Sequence, residues 1–590
     1  MAPSSLKGTT TMGIYTTRDL KQEEHILAAP DGPSITLLAH DFRGHSSKFP
    51  KSNWLDLWGE YAWGRGKGVP DHVSYEDSAI MEFQITTGAL PNHHCILDAI
   101  DAHFPDIPFD DSLVEHRQSP GTGAFSYNRG RDFFVGRKLK AGDEIFLNYG
   151  HCSHEDNPEW AEGFPMPSDF TLAIQFVSNI QETAPDKDGK VAFPPDMDPL
   201  VAQLVPKTFE DLRELMSHNY EPSELNRELA RRTGINQRTP EWIREHGKCL
   251  EHLVPGPSGL PYAGLGGIAQ HFIARGDVVV PAPVVHIMDR DVLSVYDDEG
   301  RKIGDQVLLN YCFGHRESTL LLCPNTNAIL INHCGRRTKN CRPNAEVRWS
   351  NGWDTISDEW REESLGELSK KPYRGLSMEI VALRDIAPDE EVFLDYGNDW
   401  DEAWKNHLTT WKPPGLVMSA KEANDQDAPP DFLVSGDLRT LLNDEGKHLF
   451  AGCQYWLTEW DEDEIWGKNN SMWKNRTDRE ILKLFADDGS DFVGSYAAHK
   501  DMSYWPCIVI RPEDETDSTY TVRIIQSPFE ENQPWATNNL PRFLTNYPRE
   551  SIHFFVRKSA GDQYLPGVFR HKIGIPDDIF PEHWKNLASY

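Results

Sequence analysis

Long apolar runs are missing from this 590-residue chain, and basic residues are scarce beside acidic ones. No stretch approaches the ~18 apolar residues of a membrane span, and Met1 to Gly13 is Ser/Thr-rich without an apolar run. These absences predict a soluble, intracellular protein of the nucleus or cytoplasm. Lys+Arg number 59 against Asp+Glu 92, a formal net charge of -33. Such a field repels phosphate backbones, so direct nucleic-acid binding is disfavoured and a Lys/Arg-rich protein partner favoured. Simple solubility is the plainer reading of the same charge. The 9 cysteines are an odd count with no Cys-x-x-Cys pair, which predicts neither a disulfide framework nor a zinc ribbon, and a reducing compartment. His93-His94-Cys95, His151-Cys152-Ser153-His154 and Cys334 with Cys341 lack the spacing of a closed tetrahedral site, so no metal is expected. Neither a Gly-x-Ser-x-Gly elbow nor a Gly-x-Gly-x-x-Gly fingerprint follows a strand pattern, which sets aside a small-molecule hydrolase or oxidoreductase.

What is present is aromatic residues and turns. Aromatics make up 11%, with Trp 18, while the hydrophobic share is 38%. That pairing describes a folded protein with a polar surface and long loops. Gly 43 and Pro 41 predict many turns and few long helices. The length suggests about three or four domains. One stretch concentrates chemical handles inside strand-like sequence. It runs from Leu320-Leu321-Leu322-Cys323 through Ile331-Asn332-His333-Cys334 and Pro343-Asn344-Ala345 to Glu391-Val392-Phe393-Leu394-Asp395-Tyr396-Gly397.

Parts of this stretch have earlier counterparts. Phe146-Leu147-Asn148-Tyr149-Gly150 mirrors Phe393 to Gly397, and Asn92-His93 mirrors Asn332-His333. Gly13 lies 136 positions before Tyr149, and Gly266 lies 130 before Tyr396. A diverged tandem duplication is the economical reading. Met12 to Lys21 with Glu24 to Leu27, and Gly264 to Ile273 with Asp277 to Val280, read as hairpins. Between the copies, Thr208 heads a run with Leu212, Leu215 and Met216. Ser223 precedes Leu225 and Leu229, and Thr239-Pro240 starts a third segment through Trp242 and Ile243. These predict a helical spacer ending at Pro255-Gly256-Pro257. Asp461 to Glu464 reads as a solvated acidic turn. Tyr504 to Ile510 and Tyr520 to Ile525 predict a hairpin of a small β-barrel.

Residues of about 258–408 resemble the SET-domain protein lysine methyltransferases. The Gly264-Leu265-Gly266 opening, Asn332-His333, the trailing Pro343-Asn344-Ala345 and the closing Glu391 to Gly397 carry the resemblance, in the family's order. Residues of about 8–152 carry a weaker copy, with Thr11-Met12-Gly13 at the opening and no Pro-Asn-Ala after Asn92-His93. The resemblance implies a mainly β fold with some α, in which two SET-like domains of small β-sheets each thread a pseudoknot. The expected division is a SET-like domain, possibly degenerate, at 8–155, a helical spacer at 156–257 and a catalytic SET domain at 258–410. A linker at 411–430 and a C-terminal β-rich module at 431–590 complete it.

The family further implies S-adenosyl-L-methionine as cofactor, held by Gly264, Gly266, Asn332 and His333, with Tyr396 as the catalytic residue. First-copy equivalents are Gly13, Asn92, His93 and Tyr149. Tyr311 and Trp400 are candidates for the lysine channel, a buried strand tyrosine being the plainer account of Tyr311. Glycine lets a ligand approach the backbone, asparagine supplies donor and acceptor, and a tyrosine hydroxyl places a dipole at the methyl. Transfer of methyl to a lysine of a basic protein, histone or non-histone, is the expected function. The alternative is a catalytically inactive SET-like scaffold or reader of basic partners. Oligomeric state stays open.

Overall fold

The computed structural model describes residues 1–6, 12–26, 34–38, 62–64, 80–84, 88, 90–103, 119–126, 132–148, 164–180, 188–218, 220–296, 302–335, 341–351, 355–371, 374–413, 424, 449–455, 493–495, 503–510, 520–524, 542–556 and 567–587. The described architecture is mainly β with fewer helices, as the sequence predicts.

The second unit is built on a six-stranded sheet in the order Ala345–Trp349, Arg374–Ala382, Val278–Ile287, Leu321–Pro324, Phe313–Gly314, Ile573–Gly574. Val278–Ile287 is central because its β-branched run is buried almost throughout. Two prolines interrupt it, and their carbonyls are claimed by the following turn: Thr326 Oγ1 donates to Pro281 O at 2.7 Å and Asn325 N to Pro283 O at 3.1 Å. That turn, Asn327–Leu330, is thereby fixed on the sheet and delivers Asn332 and His333. Leu265–Ala269 pairs antiparallel with Leu253–Pro257, not with Val278–Ile287 as the hairpin reading expected. Pro255-Gly256-Pro257 therefore belongs to a strand and is not merely a terminator. Likewise Met12–Gly13 pairs with Ala2–Pro3.

The first unit forms a five-stranded sheet in the order His25–Ile26, Asp132–Val135, Asp98–His103, Phe146–Leu147, Asn92–His93. Helices follow it. Thr208 Oγ1 caps Phe209–Ser217 by accepting from Asp211 N at 3.1 Å, and Thr239 Oγ1 caps Pro240–His246 by accepting from Trp242 N at 3.2 Å. Pro222–Thr233 starts one residue before Ser223 and ends on Gly234 in a left-handed conformation. Phe170, Leu204, Leu212, Leu215 and Leu229 bury against Leu97 and Phe146, so the helices share the first unit's core.

Strands within 449–556 form a further six-stranded sheet, and the expected pairing appears in it, with Cys507 opposite Ile524. Residues 567–587 do not join that sheet. Ile573–Gly574 runs parallel to Phe313–Gly314 in the second unit, and Phe580 and Trp584 are buried in its core. Such contacts span about two hundred and sixty positions and leave no local pattern to read. Asp461 to Glu464 lies outside the described residues.

The expectation of no disulfides is overturned. Cys312–Cys323, Cys334–Cys341 and Cys453–Cys507 are bonded, and Cys95 is disulfide-bonded as well. Cys249 is free. The sequence reading failed because two of these pairs join neighbouring antiparallel strands or their ends, so partners are set by register and not by a short motif. No helix among the described residues is long and apolar enough to cross a membrane.

Candidate active site

Two short strands, Asn332–His333 and Phe393–Leu394, lie parallel, with Asn332 opposite Phe393 and His333 opposite Leu394. This pairing brings the Asn-His and tyrosine segments together. Asn344, fully buried, locks the second of them: its Nδ2 donates to Glu391 O at 2.9 Å and its Oδ1 accepts from Phe393 N at 2.7 Å. The Pro-Asn-Ala signature thus holds the tyrosine strand in place.

A polar corner forms around Glu391. Its carboxylate accepts from Ser258 Oγ at 2.6 Å, Gly259 N at 2.8 Å and Asn332 Nδ2 at 3.1 Å. Asn332 Nδ2 also donates to Leu265 O at 2.9 Å, which leaves its Oδ1 acceptor for another partner. A Cβ on Gly266 would overlap Glu391 Oε1 and stand 2.8 Å from Cδ, so only glycine admits this carboxylate. Gly264 has φ +68°, the left-handed region that favours glycine. Tyr262, Gly264 and Leu265 are exposed, so the corner faces solvent.

His333 is held from both sides. Tyr396 N donates to Nδ1 at 2.9 Å, so in the neutral ring the proton sits on Nε2, which donates to Asp401 Oδ1 at 2.9 Å. Tyr396 is buried, and its hydroxyl donates to Ile331 O. Burial raises the Tyr396 phenol above its ordinary range, and Tyr311 adds to the push, which places the two phenols within electrostatic reach. Tyr311 is not a strand residue: it closes the 3₁₀ turn Val307–Tyr311, and burial pushes its phenol up to about 12. Trp400, on the helix Asn398–Thr410, stands edge-on to Tyr396 at 5.3 Å between ring centroids. It also lies 4.5 Å from His333 and 5.3 Å from Phe569.

The first unit repeats the corner. Asn92 pairs with Phe146 and His93 with Leu147, again parallel. Glu144 accepts from Ser4 Oγ at 2.6 Å, Ser5 N at 2.8 Å and Asn92 Nδ2 at 3.2 Å, and a Cβ on Gly13 would overlap its Oε1. The surroundings differ. Ser5 Oγ and Tyr15 Oη also donate to Glu144, and Glu144, Asn92 and His93 are 0%, 5% and 6% exposed. His93 Nδ1 faces Leu147 O at 3.2 Å, so its proton sits on the nitrogen opposite to that of His333. Tyr149 and the His151 to His154 cluster lie outside the described residues.

The structure brings Gly266, Asn332, His333 and Tyr396 into one site, with Gly264 at its rim and Trp400 against it. Sequence reasoning missed Glu391, though the matched Glu144 and Glu391 before each Phe-Leu were a visible signal. It also missed Gly574, whose N donates to Tyr396 O at 2.9 Å and whose missing Cβ would stand 2.7 Å from that oxygen.

Residues 264–397 match the family model of the SET domain. No curated protein matches the chain. Among solved structures, a Plasmodium falciparum protein described as a histone methyltransferase is 20% identical, over 26% of this chain and 98% of that one, with a TM-score of 0.17. An active polycomb repressive complex 2 in the stimulated state is 19% identical, over 26% of this chain, with a TM-score of 0.18; the match spans 16% of that complex's chain.

Proposed function

We propose that the SET domain of residues 264–397 makes this protein a methyltransferase that uses S-adenosyl-L-methionine and acts on a lysine of a basic protein. One observation carries the reading most: the Asn332–His333 and Phe393–Leu394 pairing sets an open polar corner beside a buried, neutral tyrosine.

The residues present suit the cofactor. Glycine at 266 admits the Glu391 carboxylate that orients Asn332, the exposed Gly264 turn leaves its backbone open to a ligand, and Asn332 Oδ1 is placed to accept from an ammonium. The cofactor would supply an electrophilic methyl on a sulfonium. The chain's own contribution is placement. Asp401 and the Tyr396 amide fix the His333 ring, and Glu391 fixes Asn332. Because the Tyr396 proton is committed to Ile331 O, its oxygen presents lone pairs, an acceptor for a polarised methyl or an incoming amine N–H. Neither tyrosine needs to ionise. The acceptor amine must be neutral, and desolvation beside Tyr311, Tyr396 and Trp400 favours that form.

The acidic balance of -33 supports a basic protein acceptor, histone or non-histone. We read the first unit as a diverged copy of the second that binds no cofactor, since Ser5 and Tyr15 occupy its corner. The test is binding of S-adenosylhomocysteine by calorimetry to wild type, Asn332→Ala and Asn92→Ala. The reading expects loss in the first variant alone; loss only in the second would move the site to the first unit.

A further inference from the structure

The first unit reaches into the second unit's site. Within residues 119–126, Gly121, Thr122 and Gly123 are buried, and Phe125 packs against the cluster that contains Leu308, Tyr311 and Leu330. The Phe125 ring abuts one side of the exposed Gly264 turn, so closely that a Cβ on Gly264 would stand 2.8 Å from it. Ser126 N donates to the Tyr311 hydroxyl at 2.8 Å. Three second-unit side chains hold the segment by its main chain: Asn310 Nδ2 donates to Ala124 O at 2.7 Å, His407 Nε2 to Pro120 O at 2.8 Å and Arg570 Nη1 to Gly123 O at 2.5 Å. Those anchors come from the turn before Cys312, the helix after Tyr396 and the returning C-terminal segment. Three separate elements of the second unit thus grip the same eight residues.

We infer that segment 119–126 is a permanent wall of the second unit's reaction channel, with Phe125 a specificity-determining side chain and Ser126 a positioning residue for the Tyr311 hydroxyl. This rests on the methyl-transfer reading. A segment displaced in each turnover would be held loosely at exposed positions; this one is buried at its centre, half-buried at its ends and held through carbonyls from three directions. By accepting the Ser126 N–H, the Tyr311 oxygen keeps one acceptor site and a fixed orientation toward an incoming amine. The Phe125 ring narrows the passage to a slender unbranched chain such as a lysine side chain and keeps bulk water from it.

The test uses the full chain and Phe125→Ala, Phe125→Leu and Tyr311→Phe. Hydrogen exchange of residues 119–126 reads the seat without activity. The wall predicts slow exchange in wild type and faster exchange of the Ser126 amide in Tyr311→Phe. With labelled S-adenosylmethionine and core histones or polylysine as acceptor, Phe125→Ala should raise KM for the acceptor about tenfold. Because the ring also abuts the Gly264 turn, affinity for S-adenosylhomocysteine should fall, but by clearly less than the rise in KM, and Phe125→Leu should restore most of the KM. Faster transfer by Phe125→Ala would make the segment a plug and overturn the wall. Rapid exchange in wild type, or cofactor affinity falling in step with kcat/KM, would overturn it too. A slow-exchanging segment in a wild type that binds no cofactor would instead refute the methyl-transfer reading, and the wall with it.

Discussion

Gly266→Ala and Gly13→Ala place the same methyl group against the same kind of carboxylate in two units, and the proposed function predicts that only Gly266→Ala weakens cofactor binding. In the second unit the new Cβ would overlap Glu391 Oε1 and stand 2.8 Å from Cδ and 3.2 Å from Asn332 Nδ2. The carboxylate must retreat by more than half an ångström, beyond what its three hydrogen bonds tolerate. Losing two at the low end for charged partners costs about 3 kcal/mol, and solvent at this half-exposed corner reduces that to about 2 kcal/mol. For a unit of this size that is a fall in Tm of about 4–8 °C. In the first unit Glu144 is fully buried and takes donors from Ser4, Ser5, Tyr15 and Asn92, so water cannot substitute and the cost is about 4 kcal/mol or more. Calorimetric melts of both variants, followed by titration with S-adenosylhomocysteine, check the pair. The first unit should lose more stability in Gly13→Ala, while cofactor affinity falls about tenfold or more in Gly266→Ala only. Equal loss of cofactor affinity in both variants, or unchanged melts, would refute the reasoning.

Tyr396→Phe removes the hydroxyl bonded to Ile331 O; kcat should fall about a hundredfold, with cofactor affinity nearly unchanged in calorimetry. The pH profile of kcat/KM should climb as the acceptor amine loses its proton and show no downturn by pH 10, because both phenols are raised, Tyr311 to about 12. The linked stability has a definite sign. It is fully present below the ordinary phenol value of 10.0 and declines toward pH 12 at about 1.4 kcal/mol per pH unit for Tyr311, which denaturant titration at pH 9 and 11.5 checks. Cys341→Ser opens the Cys334–Cys341 loop beside His333; chain entropy over so short a loop sets the cost at about 2–3 kcal/mol. Thermal melts should show it, and a reductant should lower the wild type toward the variant.

The parts of the site readable in the sequence are those whose spacing is local. Asn332-His333 and the run from Glu391 to Gly397 stood out because polar residues interrupt strand-forming sequence, and their recurrence at Asn92-His93 and Glu144 to Leu147 made the pattern legible twice. Helix starts at Thr208 and Thr239 were legible through their caps and the apolar spacing behind them. What escaped depends on contacts far apart in the chain. Ile573–Gly574 completes a sheet whose neighbouring strand is Phe313–Gly314, and nothing in its composition marks the partner. Cysteine pairing follows strand register. The seat of Phe125 against Gly264 joins two units, and the sequence of either gives no sign of it. The sequence marks Tyr311 as a candidate but reads as strand there, because Leu308, Leu309 and Phe313 suit a strand and a tight turn equally well.

The central claim is that the corner built by Gly266, Asn332, His333 and Glu391, beside Tyr396, binds S-adenosylmethionine and directs methyl transfer. The most direct measurement is incubation of the full chain with methyl-labelled S-adenosylmethionine and core histones, beside Asn332→Ala and Tyr396→Phe. The account predicts label on lysine from the wild type, loss of cofactor binding in Asn332→Ala and retained binding without transfer in Tyr396→Phe. Label that persists in both variants and disappears with Tyr149→Phe would contradict it.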